Sequence, residues 1–151
     1  MIELQEFVME INQVTNKIIG AAIEVHRELG PGLLENIYEL CLCREFEICR
    51  LSFQRQVEIP VVYKGLSLDY GYRADLIVEN KVLVEIKSMA ELLPIHEAQV
   101  LTYLKIGGWK LGLIFNFIVR LMKNGIRRLV YDLDEKENNS LRPLRLSGKS
   151  T

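Results

Sequence analysis

The chain has 151 residues, of which 49% are hydrophobic and 26% charged, and its formal net charge is −1. That is enough chain for one ordinary domain with a real core, so no disulfide or metal staple is needed to fold it. The charge excludes a strongly basic polyanion binder, and any nucleic-acid function must rest on a local site.

The first predicted element is a helix over about residues 4 to 29, because Ile11, Val14, Ile18, Ala22, Val25 and Leu29 recur at three- and four-residue steps. Gly30, Pro31 and Gly32 end it. A second helix is predicted over about residues 33 to 49, with Leu34, Ile37, Cys41 and Ile48 inward. Cys41, Cys43 and Cys49 form no CxxC pair and have no second cluster, so a zinc site is not indicated. Free thiols fit a reducing cytoplasm. The first residues, Met1 to Glu6, lack the basic start and apolar run of a signal peptide. No stretch approaches about 18 uninterrupted apolar residues, so no membrane span is expected.

The period then changes. Val57, Ile59, Val61 and Tyr63 alternate as a half-buried strand does, and Pro60 marks it as an edge. Lys64 and Gly65 make a turn, with a short strand near Leu66 to Tyr70. Tyr72 to Val78 and Val82 to Ser88 form a hairpin through Glu79, Asn80 and Lys81. Pro94 opens a helix to about Ile106, closed by Gly107 and Gly108. Leu111 to Phe117 reads as a strand buried on both faces, and Ile126 to Tyr131 as a last edge strand. A single folded domain is expected over residues 1–133, with 134–151 as a polar, mobile tail. Hairpins followed by one crossover helix imply an α/β fold with a mixed sheet between helices.

Glu85 and Lys87 are two apart on a strand and so share a face, opposite Val82, Val84 and Ile86. Alone, this pair is also what a solvated salt-bridging edge would carry. Asp75 sharpens it. A three-residue loop at 79 to 81 puts Asp75 across from Glu85, where two like charges repel unless a divalent cation lies between them. Neutralisation by Arg73 or Lys87 is the alternative, and a two-residue turn would put the carboxylates on opposite faces. His96, Gln99 and Tyr103 form one helical stripe, an unusual set for a solvent face, while Ile95, Ala98, Leu101 and Thr102 look inward. Glu35 and Tyr38 share a helical face. Glu35 near a helix start and His26 near a helix end each suit the helix dipole.

Gly32, Glu35 and Tyr38 stand in a G-x-x-E-x-x-Y spacing. With Val25 to Glu35, Gly71 to Asp75, Glu85-x-Lys87 and Leu93 to Tyr103, the chain resembles the GxxExxY protein family of the PD-(D/E)XK nuclease superfamily over roughly residues 10 to 131. The resemblance implies a restriction-endonuclease-like αβββαβ core. It implies that Asp75, preceded by Ala74 rather than proline, fills the acidic motif position, and that Glu85 and Lys87 fill the (D/E)XK positions. Glu35 would be the helix acid that completes the site, and Gln99 with Tyr103 is similar to the Q-x-x-x-Y motif of an exonuclease branch.

The expectation is therefore a magnesium- or manganese-dependent nuclease acting on DNA. Asp75, Glu85, the Ile86 carbonyl and Glu35 would hold the metal. Lys87 would position water or stabilise charge, and Gln99 and Tyr103 would orient Lys87 or the phosphate. The expected partner is nucleic acid, with a homodimer compatible and no membrane. A catalytically inactive binding module of the same fold, and a phosphoesterase acting on a small nucleotide, remain as alternatives.

Overall fold

The computed structural model describes residues 2–132, with side chains from residue 10 onward. The tail expected from residue 134 lies outside the described residues. In chain order the elements are α1 (Ile2–Leu29), α2 (Glu35–Ile48), β1 (Phe53–Glu58), β2 (Val61–Tyr63), β3 (Leu66–Leu68), β4 (Arg73–Val78), β5 (Val82–Lys87), α3 (Pro94–Gly107), β6 (Leu111–Asn116), a short 3-10 turn (Met122–Gly125) and β7 (Ile126–Val130). No helix among them is long and apolar enough to cross a membrane.

Five strands form one mixed sheet in the order β1-β4-β5-β6-β7, and β2 and β3 pair apart from it. The β5–β6 pair is parallel, Val82 facing Leu111 through Lys87 facing Asn116, and its neighbours are antiparallel. This parallel step requires a crossover, which α3 supplies. β6 is buried along its whole length, as its apolar run predicts, and β7 is an edge. One core holds the inner faces of α1 and α2 against Leu76, Val78, Val82, Val84 and Ile86. A second, smaller core sets Val100, Tyr103 and Leu104 of α3 against Ile77, Leu83 and Ile114. This is the restriction-endonuclease-like architecture expected of the sequence.

Three expectations fail in instructive ways. The stretch from Val57 to Tyr63 is not one strand. It breaks at Ile59 and Pro60, because proline gives the ladder no N–H, and β2 turns away into its own hairpin.

In α2 the helical period is right but its phase is not. The buried residues are Tyr38, Glu39, Leu42, Cys43 and Phe46, whereas Leu34 is 72% exposed, Ile37 and Ile48 are also exposed, and Cys41 is half-buried. The aromatic rings take the core positions. Tyr38 stacks on Phe117 with centroids 4.3 Å apart, and Phe46 lies 5.8 Å from Phe53. Rings bury more apolar area than the leucine and isoleucines they displace. Leu29, the last residue of the α1 stripe, is also exposed, whereas His26 three residues earlier is buried.

In α3, Ile95, Ala98 and Thr102 face solvent and Leu101 is half-buried, while Val100, Tyr103 and Leu104 face the sheet. Gly112 on β6 explains the seat of this helix. A Cβ there would lie 2.9 Å from Val100 Cγ1 and 3.5 Å from Leu104. The missing side chain lets α3 sit close to the sheet on those two residues.

Candidate active site

The site grows out of the β4–β5 hairpin. Glu79 and Asn80 both have φ near +54°, and Lys81 N–H donates to the Val78 carbonyl at 2.9 Å. Positive φ at both central positions suits the right-handed twist of the strands it joins. The register is Val78 to Val82, Ile77 to Leu83 and Leu76 to Val84. The three-residue count therefore holds, and continuing it brings Asp75 to Glu85.

At that point side chains take over from the ladder. The Asp75 N–H donates to Glu85 Oε1 at 2.8 Å, and the Ile86 N–H donates to Asp75 Oδ2 at 2.8 Å. The same place disturbs β1. Gln56, which the β1–β4 register would put opposite Asp75, is missing from the paired residues and has φ of +51°. A left-handed non-glycine residue inside a strand costs on the order of 1–2 kcal/mol, so its surroundings must hold it there. The alternation of faces breaks at this level. Ala74 packs with the α3-side core although Leu76 and Val78 pack on the other, and Phe53 and Val57 divide in the same way. Strict alternation along a strand puts Ala74 on one face with Leu76 and Val78. The twist at Asp75 and Gln56 overrides it.

The electrostatics follow from burial. Glu85 is 5% exposed, and burial, then the Asp75 charge, pushes its carboxyl up to about 8. Burial also raises Asp75, with Glu39 adding to it, against hydrogen bonds from Ile86 N–H and Gln56 and the charge of Lys87. Lys87 is half-buried at the end of β5, and its charge favours the ionised form of both carboxylates. Its carbonyl accepts the Phe117 N–H at 2.9 Å, which extends the parallel pairing one step past Asn116.

Glu35 is brought to the same strand end from the other layer. It is the first residue of α2, and its carboxylate accepts the Ser88 N–H at 3.1 Å. Ser88 Oγ donates to the Leu33 carbonyl at 3.1 Å. The Glu35 charge reaches Glu85 and raises it. Tyr38 explains why Glu35 stands there. Its hydroxyl donates to the Gly30 carbonyl and accepts the Leu33 N–H at 3.1 Å. Gly30, at φ +69°, caps α1 by donating its N–H to the His26 carbonyl at 2.7 Å. The tyrosine of the G-x-x-E-x-x-Y spacing is thus a staple for the loop that aims Glu35.

From α3, Tyr103 is buried beside the carboxylates. Burial, then the Glu85 charge, pushes its phenol up to about 12. Gln99, one turn earlier on the same stripe, is half-buried. His96 of that stripe does something else. Its Nδ1 accepts the Leu93 N–H at 2.9 Å and caps α3, which leaves Nε2 to carry the proton of a neutral ring. His26 does stand in the last turn of α1. It is buried, with Nε2 2.7 Å from the Val119 carbonyl and its ring stacked 6.2 Å from Phe117.

Sequence reasoning missed four residues here. Glu39, one turn after Glu35, is buried and accepts hydrogen bonds from Arg55 Nε at 2.9 Å and from Gln56 Nε2 at 3.0 Å. The same Gln56 nitrogen lies 3.3 Å from Asp75 Oδ1, so it bridges the two acids. Asn116 is buried at the end of β6. Its Oδ1 accepts the Met89 N–H at 3.1 Å and its Nδ2 donates to the Met89 carbonyl at 3.0 Å, fixing the loop after β5. A buried asparagine ending an apolar strand was the one signal available from sequence.

Among the described residues no group of three or more His, Cys, Asp or Glu side chains forms a ready-made metal cage. The donor set still suits a hard divalent cation. Asp75 and Glu85 are oxygen donors on adjacent strands, and the charge of Asp75 disfavours the ionised form of Glu85. Magnesium commonly keeps several waters and takes only one or two carboxylates. Cys43, by contrast, is a buried thiol pushed up to about 11 by burial, and so is poorly disposed to act as a thiolate ligand.

A sequence profile of the PD-(D/E)XK nuclease superfamily matches residues 12–129. A search of curated proteins found no significant match. The crystal structure of SSO0001 is similar in fold, with a TM-score of 0.51 and 23% identity over 72% of this chain. The aligned part spans 55% of that structure's own chain, and a likeness at this identity speaks to fold alone.

Proposed function

The chain belongs to the PD-(D/E)XK nuclease superfamily, and on that premise we propose that it is a metal-dependent nuclease of the GxxExxY type that hydrolyses phosphodiester bonds in DNA. The observation that carries this reading is the meeting of two carboxylates across β4 and β5, where Glu85 accepts the Asp75 N–H and Asp75 accepts the Ile86 N–H, with Lys87 two residues on from Glu85. Asp75, Glu85 and the Ile86 carbonyl would hold magnesium or manganese, and Glu35 would complete the site directly or through water. The bound metal would polarise the phosphate and lower the pKa of a water.

The chain's own groups do the rest. Lys87 holds the attacking water or offsets charge that develops on the phosphate. Tyr103, with its phenol raised to about 12, keeps its proton through neutral pH and can donate a hydrogen bond throughout. Gln99 beside it orients Lys87 or the phosphate. Gln56 steadies Asp75 from the Glu39 side.

The test is titration of magnesium and manganese into wild-type protein and Asp75→Ala, followed by cleavage assays on DNA. Wild type should bind metal and cleave. Asp75→Ala should lose both, and Lys87→Ala should lose cleavage by 100-fold or more, on the order expected for a group acting on transition-state charge, with unchanged circular dichroism. Full activity in either folded variant would remove these roles. A second reading, an inactive module of the same fold, draws on the net charge of −1 and on carboxylates already engaged by backbone N–H groups. It predicts nucleic-acid binding that falls steeply with salt and ignores metal.

A further inference from the structure

Ahead of β4, the strand that carries Asp75, stands a set of aromatic side chains that hydrolysis does not use. Of the six tyrosines in the chain, Tyr63, Tyr70 and Tyr72 fall in the short segment just before β4. They are 60%, 77% and 46% exposed. A single exposed ring needs no explanation, but several gathered in one short segment that leads into a strand of the site do.

Tyr72 ties the set to the site. Its carbonyl accepts the Ile59 N–H at 2.8 Å, so its backbone is fixed to the end of β1. Its ring lies 6.2 Å from that of Tyr103, tilted by 59°. Tyr103 in turn feels the charges of Glu85 and Asp75. Between Tyr70 and Tyr72 the chain turns at Gly71, φ +77°, whose N–H donates to Asp69 Oδ1 at 3.3 Å. Cations accompany the rings. Lys64 Nζ sits 5.4 Å from the centroid of the Tyr63 ring, and exposed Arg73 follows Tyr72 directly.

Aromatic faces interleaved with cations suit unpaired nucleic acid, where each free base offers a π-face and each link a phosphate. In a continuous duplex the base faces are covered by neighbours, and affinity comes instead from many phosphate contacts. A chain with net charge −1 is poorly supplied for that.

We propose that Tyr70 and Tyr72 form a stacking platform for unpaired bases at the mouth of the carboxylate site, with Tyr63 and Lys64 adding to it, so that the substrate is single-stranded DNA or the unpaired end of a duplex. This rests on the nuclease reading and names its substrate class.

The experiment is fluorescence anisotropy with one labelled DNA oligonucleotide in three forms: single strand, full duplex, and a strand of equal length with abasic positions. It is run in EDTA, so binding is read without cleavage, on wild type, Tyr70→Ala, Tyr72→Ala and Tyr72→Phe. The single strand should bind tighter than the duplex or the abasic strand. Each alanine variant should weaken it roughly ten- to a hundredfold, as loss of a base-stacking side chain does, and Tyr72→Phe should restore it. Unchanged thermal melts show that the variants fold. Equal binding of strand and duplex, equal binding of the abasic strand, or unaltered binding by the folded alanine variants would overturn the proposal. Metal-dependent cleavage of a continuous duplex at full rate by those variants would overturn it while leaving the nuclease reading intact. Ring-dependent strand binding by a protein that cleaves nothing would sustain the platform and remove the hydrolysis.

Discussion

Glu85 concentrates the conflict on which the site is built. A carboxylate that is 5% exposed and faces Asp75 holds its proton up to about pH 8, against an ordinary value of 4.5. Between those values the folded chain binds a proton that the unfolded chain has released. Stability must therefore fall as pH rises through that window, because the folded state carries the excess protons. Asp75, also raised, acts with the same sign. Thermal melts in EDTA should show the midpoint dropping by several degrees from pH 5 to pH 8, and Glu85→Gln should flatten the drop. Magnesium at pH 8 should raise the wild-type midpoint and leave Glu85→Gln nearly unmoved. A wild-type midpoint that climbs with pH would show that the strand pair is not a proton sink.

At the scale of elements, the join between α1 and α2 depends on one hydroxyl. Tyr38→Phe keeps the ring against Phe117 but removes the link between the Gly30 carbonyl and the Leu33 N–H. Urea unfolding should show a loss of about 1–3 kcal/mol, the cost of leaving buried partners unsatisfied. An equally stable variant would show that the loop holds itself. Reading α2 from sequence went wrong at this residue, since a tyrosine and a glutamate look less like core than the leucine and isoleucine beside them. The hairpin of β4 and β5 was legible because its register needs only a count of turn residues and an alternating apolar pattern. That count brought Asp75 to Glu85. Glu39 was not legible, because the groups that satisfy it, Arg55 and Gln56, come from β1. Nor does any local pattern announce a left-handed glutamine inside a strand. Composition records which residues are apolar. It does not record which polar residues find partners far along the chain, and those decide the layout around Asp75.

Over the whole molecule, the mixed sheet between α1 and α2 on one face and α3 on the other was readable from element order, since a hairpin followed by one crossover helix admits few arrangements. The two neighbours of β5 nonetheless reach it by unequal routes. β4 arrives through a three-residue turn, while β6 must wait for all of α3. Local pairs close quickly, and parallel pairs must first overcome the entropy of a long loop. On a ribosome, the strand bearing Glu85 and Lys87 would therefore emerge with one margin zipped and the other bare until Leu111–Asn116 follows. A bare strand margin is a template for any other chain nearby. Nascent chains stalled before residue 111 should clump, as read by sedimentation of the stalled complexes, and those stalled after Val130 has cleared the exit tunnel should not. Vulnerability of this kind belongs to the timetable of synthesis and disappears from the finished protein.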